Sequence, residues 1–261
     1  MEYKDIRKEK KIRRRRLKRI LTAFFLSIVF LLWGIYYLLQ SDLLNLQMIE
    51  VHGNIELTEE EIIDGAKLYT KRNILQYNLL EIKENVEMQP FVKEAIIKRK
   101  LPKTMIITVR EREKYAIIPY MGSFIYIDQD KVVLQVNDDY LSEDLILITG
   151  VEFQSFKLGD KADINNPEML NTAMELIEAS RATSIVEMIS EINIEKEDYI
   201  QLITFDGIEV LLADTIDPAY SMVALKEVLT SLYTREIKNV IVDMRYKGQI
   251  SIRDREQWEE D

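Results

Sequence analysis

The chain has 261 residues and a formal net charge of −10, and it contains no cysteine and a single histidine, His52. These counts exclude disulfide bonds, cysteine nucleophiles and zinc sites built from two histidines of this chain. With only 8 Gly, 5 Pro and no low-complexity stretch, the composition is that of a folded protein.

An uncharged run of twenty residues, Ile20 to Leu39, is the strongest single signal in the sequence. As a helix rising about 1.5 Å per residue it would measure about 30 Å, which is the thickness of the hydrocarbon layer of a bilayer. We therefore predict one transmembrane helix at residues 20–40. A cleaved signal peptide is the alternative, but it would have a shorter apolar core and end in a small-x-small site rather than in Leu38-Leu39-Gln40.

The charges on either side of this run predict its orientation. Residues 1–19 contain eleven Lys or Arg and three acids, whereas the rest of the chain contains 24 and 42. By the positive-inside rule we expect the N-terminus in the cytoplasm and about 220 residues outside it. The basic segment is expected to bind anionic lipid headgroups. Nucleic-acid binding is not predicted, because no aromatic residue interrupts the basic run from Lys10 to Arg19.

The first part of the exported region predicts the order β-α-α-β-β. Two Thr/Asn-x-x-Glu patterns, at Thr58 and Asn78, are typical of helix starts. Strands are predicted at about 46–51, 92–100 and 104–110. The apolar face of the first helix is expected to contain Ile62, Ile63, Ala66 and Tyr69.

From Lys114 onward short strands alternate with two helices, which predicts a larger β-rich α+β domain with an antiparallel sheet. Asp217 and Pro218 are typical of the first residues of a long last helix. The remaining elements are predicted as strands at about 115–119, 124–127, 132–136, 145–148, 189–194, 199–204, 208–212, 240–243 and 249–253, with a further helix at 167–180.

Signatures of catalysis are missing from the sequence. No Ser is followed three positions later by Lys, no Gly-x-Ser-x-Gly occurs, and no Gly precedes a Lys. Asp128 and Asp130 resemble the opening of a calcium loop, but Val132 and Val133 occupy the positions that need a ligand and a glycine, so we predict a hairpin turn. We predict no catalytic residue, cofactor or metal. A membrane-anchored cell-wall hydrolase or carbohydrate-binding protein, which would need an acid pair in a cleft, is the alternative.

The last predicted strand is the candidate binding surface. If Gln249, Ile250, Ser251, Ile252 and Arg253 end the sheet at its edge, their unpaired backbone groups can accept a strand from a partner. Pairing only within the chain is the equally open alternative.

The order and spacing of several short motifs resemble a known family, the bacterial cell-division proteins DivIB and FtsQ. The motifs are Ile49-Glu50-Val51-His52-Gly53-Asn54, Leu57-Thr58-Glu59-Glu60-Glu61-Ile62, Val92-Lys93-Glu94-Ala95, Lys98-Arg99-Lys100-Leu101-Pro102, Val109-Arg110-Glu111-Arg112, Tyr126-Ile127-Asp128 and Val242-Asp243-Met244-Arg245-Tyr246.

The resemblance implies a POTRA domain at residues 42–112, followed by a β-rich domain at 113–254. The residues after Asp254 predict a short charged tail at 255–261. The resemblance also implies a non-enzymatic, single-pass protein of the cell membrane at the division septum, which binds the membrane-anchored proteins DivIC and FtsL and helps control septal peptidoglycan synthesis. By the same resemblance, Tyr246 and the strand Gln249–Arg253 fall in the partner-binding region.

Two positions depart from the family pattern. The family often has Pro soon after the Glu111-Arg112 pair, where this chain has Glu113-Lys114, and often Gly at the turn position of Lys131. The first departure concerns the junction between the two domains and the second concerns a turn type.

Overall fold

The computed structural model describes residues 2–140, 144–214, 217–246 and 248–255. The chain divides into two compact units. One consists of Met1–Val86 with Ala95–Val109, and the other of Glu87–Glu94 with Arg110–Asp261.

The first unit begins with a long helix, α1 (Glu2–Leu39). Its part from Arg16 to Leu39 has a mean hydropathy of 2.1 and no buried residues, and among the described residues α1 alone is long and apolar enough to cross a membrane. The helix starts well before the predicted span and runs through the basic segment, because Lys and Arg are good helix formers.

The elements that follow α1 have the predicted order β-α-α-β-β and lie mainly in the first unit. These elements are β1 (Met48–His52), α2 (Glu59–Gly65), α3 (Leu79–Glu87), β2 (Val92–Lys100) and β3 (Thr104–Glu111). The sheet order is β1-β3-β2, with β1 parallel to β3 from Met48 opposite Thr104 to His52 opposite Thr108. The fully buried core side chains include Leu46, Ile62, Ile74, Val86, Met105 and Ile107.

The predicted capping box of α2 is confirmed. The N–H of Glu61 donates to Thr58 Oγ1 at 3.2 Å, and the N–H of Thr58 donates to Glu61 Oε2 at 2.8 Å. The prediction that Tyr69 lies on the buried face is wrong, because α2 ends at Gly65 and Lys67 adopts a left-handed conformation (φ 51°) that turns the chain away. Tyr69 is therefore 68% exposed.

In the described residues the second unit contains a sheet of nine strands and the helices α4 (Pro167–Ala182) and α5 (Pro218–Thr234). The sheet strands are β4 (Ala116–Tyr120), β5 (Ser123–Ile127), β6 (Val133–Asn137), β7 (Ile146–Thr149), β10 (Ile189–Asn193), β11 (Tyr199–Thr204), β12 (Glu209–Ala213), β13 (Val240–Asp243) and β14 (Ser251–Asp254). Their order across the sheet is β14-β13-β12-β11-β10-β7-β4-β5-β6.

This sheet is mixed rather than wholly antiparallel as predicted. The pairs β4/β7, β7/β10 and β12/β13 are parallel, and the other five are antiparallel. Helix α4 lies between β7 and β10 in the chain, and α5 lies between β12 and β13. A helical crossover returns the chain to the same end of the sheet, which makes these neighbours parallel.

The two helices contribute to one apolar core with the sheet. Met222, Leu225, Leu229 and Leu232 form the buried stripe of α5, as predicted. A two-stranded hairpin of β8 (Phe153–Ser155) and β9 (Asp163–Ile164) was not predicted, because strands of three and two residues are too short to show an alternating pattern.

Candidate partner-binding edge

The C-terminal strand β14 forms one edge of the nine-stranded sheet. It pairs antiparallel with β13, from Val240 opposite Asp254 to Asp243 opposite Ser251. Among the described residues β13 is its one neighbour, so the outer side of β14 offers backbone groups to another strand. Ile252 is 51% exposed on this strand.

The strand begins at Ser251 and not at Gln249 as predicted, so Gln249 and Ile250 lie before it. Gly248 has φ 77°, and the N–H of Gln249 donates to the carbonyl of Tyr246 at 3.0 Å, which holds this stretch in a turn. The predicted residues therefore separate into two groups: Ser251, Ile252 and Arg253 lie in the strand, and Tyr246, Gln249 and Ile250 lie in the loop before it.

That loop and the start of α5 enclose a cleft of about 610 Å³. Tyr220, Tyr246 and Ile250 lie at the cleft and are 65%, 65% and 46% exposed, so apolar surface is available there. The cleft is lined by Ala213, Asp217, Tyr220, Ser221, Ala224, Met244, Arg245, Tyr246, Gly248, Gln249 and Ile250. Its size and aromatic walls suit one or two apolar side chains of a partner.

An ion pair between the buried Asp243 and the partly exposed Arg245 adjoins the cleft. Nε and Nη2 of Arg245 donate to the two carboxylate oxygens of Asp243 at 3.0 and 2.7 Å, and its backbone N–H donates to Oδ1 at 3.1 Å. Hydrogen bonding from Arg245 lowers the pKa of Asp243 below its ordinary value. The guanidinium also lies 5.4 Å from the ring centre of Tyr199 and 5.9 Å from that of Tyr246. Arg245 thus orients Tyr246.

Sequence reasoning did not assign a role to Asp243 and Arg245. Their spacing could have indicated this contact, because side chains that are two residues apart on an extended chain point to the same face. An acid and an arginine at that spacing can form a local ion pair.

The far end of β14 is attached to the sheet by a second ion pair. Arg255 Nη2 contacts Glu209 Oε1, and the Arg255 N–H donates to the carbonyl of Asn239 at 3.4 Å. Glu209 is 8% exposed. Both ends of the edge strand are therefore held in place, while its outer side stays open.

The opposite edge of the sheet, strand β6, is partly covered by the same chain. There the N–H of Val133 donates to the carbonyl of Asp160 at 2.9 Å, and the N–H of Gly159 donates to the carbonyl of Val133 at 2.8 Å. A loop of the same chain therefore covers the start of β6, which leaves β14 as the more accessible edge.

The hairpin turn predicted at Asp128 and Asp130 is confirmed, and its acids have internal partners. Asp128 is 3% exposed, accepts from Arg112 Nη1 at 2.6 Å and from the N–H of Val132 at 2.8 Å. Asp130 lies 2.7 Å from Lys93 Nζ, whose hydrogen bond lowers the pKa of Asp130. The carboxylates are thus used in ion pairs.

Two family models match consecutive parts of the chain. The model of the FtsQ-type POTRA domain matches residues 44–112, and the model of the C-terminal part of the cell division protein FtsQ/DivIB matches residues 116–245. The chain belongs to the DivIB/FtsQ family of bacterial cell-division proteins. It contains the POTRA domain and the C-terminal domain of that family.

Curated DivIB and FtsQ proteins are similar over most of this DivIB/FtsQ chain. DivIB of Clostridium tetani is 26% identical over 214 residues, which cover 78% of this chain and 77% of that protein. DivIB of Clostridium botulinum strain Hall is 30% identical over 158 residues, covering 60% of this chain and 59% of that protein. FtsQ of Geobacter sp. strain M21 is 30% identical over 180 residues, covering 67% and 64%.

A solved structure of the major extracytoplasmic domain of DivIB from Geobacillus stearothermophilus aligns with a TM-score of 0.29 and 19% identity, covering 49% of this chain and 98% of that one. The apolar part of α1 and the family membership fit a bitopic membrane protein of cell division. The region matched by the C-terminal family model ends at Arg245, before Tyr246 and β14. The binding role of those residues therefore stays a prediction.

Proposed function

We propose that this division protein acts without catalysis, by presenting β14 and the adjoining cleft to partners anchored in the same membrane. The partners are DivIC and FtsL, and their binding helps control peptidoglycan synthesis at the septum. In this proposal the N-terminus lies in the cytoplasm and both folded units lie outside it. The observation that carries it is the open outer side of β14 next to exposed Tyr246 and Ile250.

The strand by itself would bind weakly. A four-residue strand that forms about four backbone hydrogen bonds, at about 1 kcal/mol net each, gives a Kd of about 1 mM. The cleft adds apolar contact at Tyr246 and Ile250, which raises the affinity and selects the register of the incoming strand.

Anchoring in one membrane makes such an affinity sufficient. Two proteins tethered to the same bilayer meet at an effective concentration far above that of free proteins, so a contact that is weak in solution becomes populated. The span of α1 supplies this tether in the proposed arrangement.

The test is co-purification of the full chain with full-length DivIC and FtsL in lipid nanodiscs, which keep the proteins together in one bilayer, using Ile252→Pro and Arg253→Pro. In an antiparallel pair, adjacent residues alternate between inward and outward backbone groups, so one of these prolines removes an outward N–H and its ring obstructs the incoming strand. We expect binding to fall about tenfold in that variant, and also in Tyr246→Ala.

The matched control is Val136→Pro, which places a proline in the opposite edge strand β6 and should leave binding unchanged. Thermal unfolding of each variant shows whether the sheet is intact. Full binding by both β14 proline variants, with the sheet intact, would refute strand addition at this edge.

A further inference from the structure

The chain joins the folded part of the first unit directly after its apolar helix. The side-chain amide of Asn73 donates to the carbonyl of Leu39, the last residue of α1, at 2.6 Å. Seven residues later the N–H of Leu46 donates to the carbonyl of Arg72 at 2.9 Å, and the N–H of Lys71 donates to the carbonyl of Leu46 at 3.0 Å. The loop from Lys71 to Asn73 therefore lies at the end of the apolar helix.

The turn between β2 and β3 lies at the same end of the first unit. The N–H groups of Gln47 and Met48 donate to the carbonyl of Lys103 at 2.9 and 3.3 Å, and Met48 is opposite Thr104 in the ladder. Both segments therefore flank the strand that emerges from α1.

These two segments present three exposed cations, Lys71, Arg72 and Lys103. Within the described ranges no carboxylate lies within 4.0 Å of any of them, and Arg72 lies 5.0 Å from the ring centre of Tyr77. The sole acid between Leu39 and Leu46 is Asp42, which accepts from Asn45 Nδ2 at 2.8 Å. The region therefore has a net positive charge.

Exposed apolar side chains lie in or near the same segments: Leu75 follows Arg72 by three residues and Leu101 precedes Lys103 by two, while Leu43 lies between the end of α1 and Leu46. Leu43, Leu75 and Leu101 are 59%, 43% and 59% exposed. Exposed leucines beside cations that have no carboxylate partner among the described residues are typical of a surface that rests on a bilayer, where apolar groups enter the interface and cations meet phosphates.

We propose that these six residues, Lys71, Arg72, Lys103, Leu43, Leu75 and Leu101, form a rim that docks on the outer leaflet of the bilayer and binds anionic phospholipid headgroups. Each cation near an anionic surface contributes about fivefold to the binding equilibrium, so the three together hold the unit against the membrane. This docking rests on the membrane span and on the orientation given in the proposed function, and it goes beyond the binding of protein partners.

The test uses the absence of cysteine, which allows a single fluorescent label on the full chain. Leu101→Cys is labelled and the protein is reconstituted into vesicles of phosphatidylcholine alone or mixed with phosphatidylglycerol, both with a headgroup-attached nitroxide quencher. We expect quenching to be at least about twofold stronger with phosphatidylglycerol, because the cations are drawn to the anionic surface. A label at Ile55→Cys, 89% exposed beyond the other end of β1, should be quenched in neither vesicle.

The charge variant is the triple substitution Lys71→Gln, Arg72→Gln and Lys103→Gln, which should abolish the dependence on phosphatidylglycerol. Its charge-matched control is Lys67→Gln, Lys83→Gln and Lys98→Gln, outside the rim, which should keep it. Equal quenching at residue 101 in both vesicles, no quenching in either, or full quenching in the rim variant would overturn the proposal.

A protein partner at the rim would give a different result. In that case the rim variant would lose co-purification with DivIC or FtsL while quenching stayed as in the unmodified chain, and the lipid proposal would be wrong. Failure of the β14 variants to affect co-purification bears only on the proposed function, because β14 belongs to the other unit.

Discussion

Arg112 compensates the buried charge of Asp128. The two side chains are 18% and 4% exposed and lie 2.6 Å apart, so removal of the arginine leaves a carboxylate without its counter-charge in a low-dielectric site. We predict that Arg112→Met lowers the free energy of unfolding by about 3 kcal/mol, measured by urea denaturation.

The matched control for this substitution is Arg110→Met, two residues earlier on the same chain segment. Arg110 pairs with Glu94 at 3.1 Å, but the two side chains are 61% and 49% exposed, so its loss should cost less than about 1 kcal/mol. Equal losses from the two substitutions would contradict the role given to burial.

Asp243 gives a second test at the residue scale, in which the pH decides the outcome. Asp243→Asn keeps the shape of the side chain but removes the charge that Arg245 binds, so we predict a loss of about 2 kcal/mol at neutral pH. Because hydrogen bonding from Arg245 lowers the pKa of Asp243 in the folded protein, the unfolded chain binds the proton more readily.

The stabilisation by Asp243 is consequently fully present above its unfolded pKa of about 3.9 and is lost as the pH falls through the lower folded pKa. Unfolding of both proteins over a pH series from about 7 to about 3 should show the difference between them shrinking only at the acid end. A difference that stayed constant down to the lowest pH would argue against a lowered pKa of Asp243 in the folded protein.

At the scale of elements, Gly53 determines how β1 ends against β3. Its φ is 85°, and a Cβ at this position would lie 2.2 Å from the carbonyl oxygen of Val109. We predict that Gly53→Ala lowers the free energy of unfolding by about 3 kcal/mol, because it adds a backbone clash to the strain of the left-handed conformation. Thermal unfolding of the full chain measures it.

A substitution at Gly122 separates the cost of the backbone clash from the cost of the left-handed conformation. Gly122 has φ 88°, but a Cβ at this position would have no atom within 4 Å, so Gly122→Ala carries the strain alone and should cost about 1 kcal/mol. If the two alanine variants unfolded alike, the close approach of Val109 would have no energetic effect.

The ends of helices and strands could be predicted from the sequence where they depend on neighbouring residues in the chain. The bounds of β2 were predicted without error, and the start of α5 followed from Asp217, whose carboxylate accepts from the N–H groups of Ala219 and Tyr220 at 3.0 and 3.2 Å. The start of β14 was not predictable, because it depends on the turn at Gly248 and on pairing with a distant strand. The alternation of polar and apolar residues that predicts a strand includes Gln249 and Ile250, but the pairing of β14 with β13 begins only at Ser251.

At the scale of the whole molecule, α1 is expected to act as a tether. Replacing Ile20–Leu39 with an unrelated apolar helix of equal length should therefore preserve co-purification with DivIC and FtsL. Cleavage at an engineered protease site after Gln40, which separates the folded units from α1, should weaken co-purification by at least about a hundredfold, because the proteins no longer meet at the high effective concentration of a shared membrane. Loss of binding on replacement of the helix would instead assign the span a specific contact.

The sequence by itself determined the apolar helix, the β-α-α-β-β order and the stripe of α5, because each depends on residues close together in the chain. It also indicated the family, through the order and spacing of short motifs along the chain. Only the tertiary structure decided that the sheet is mixed, that β14 lies at its edge, and that the cleft joins Tyr220 of α5 to Tyr246. It also decided the partners of Asp128 and the position of Lys103 beside the start of β1. These features depend on hydrogen bonds and packing between distant segments, which leave no periodic signal in the sequence.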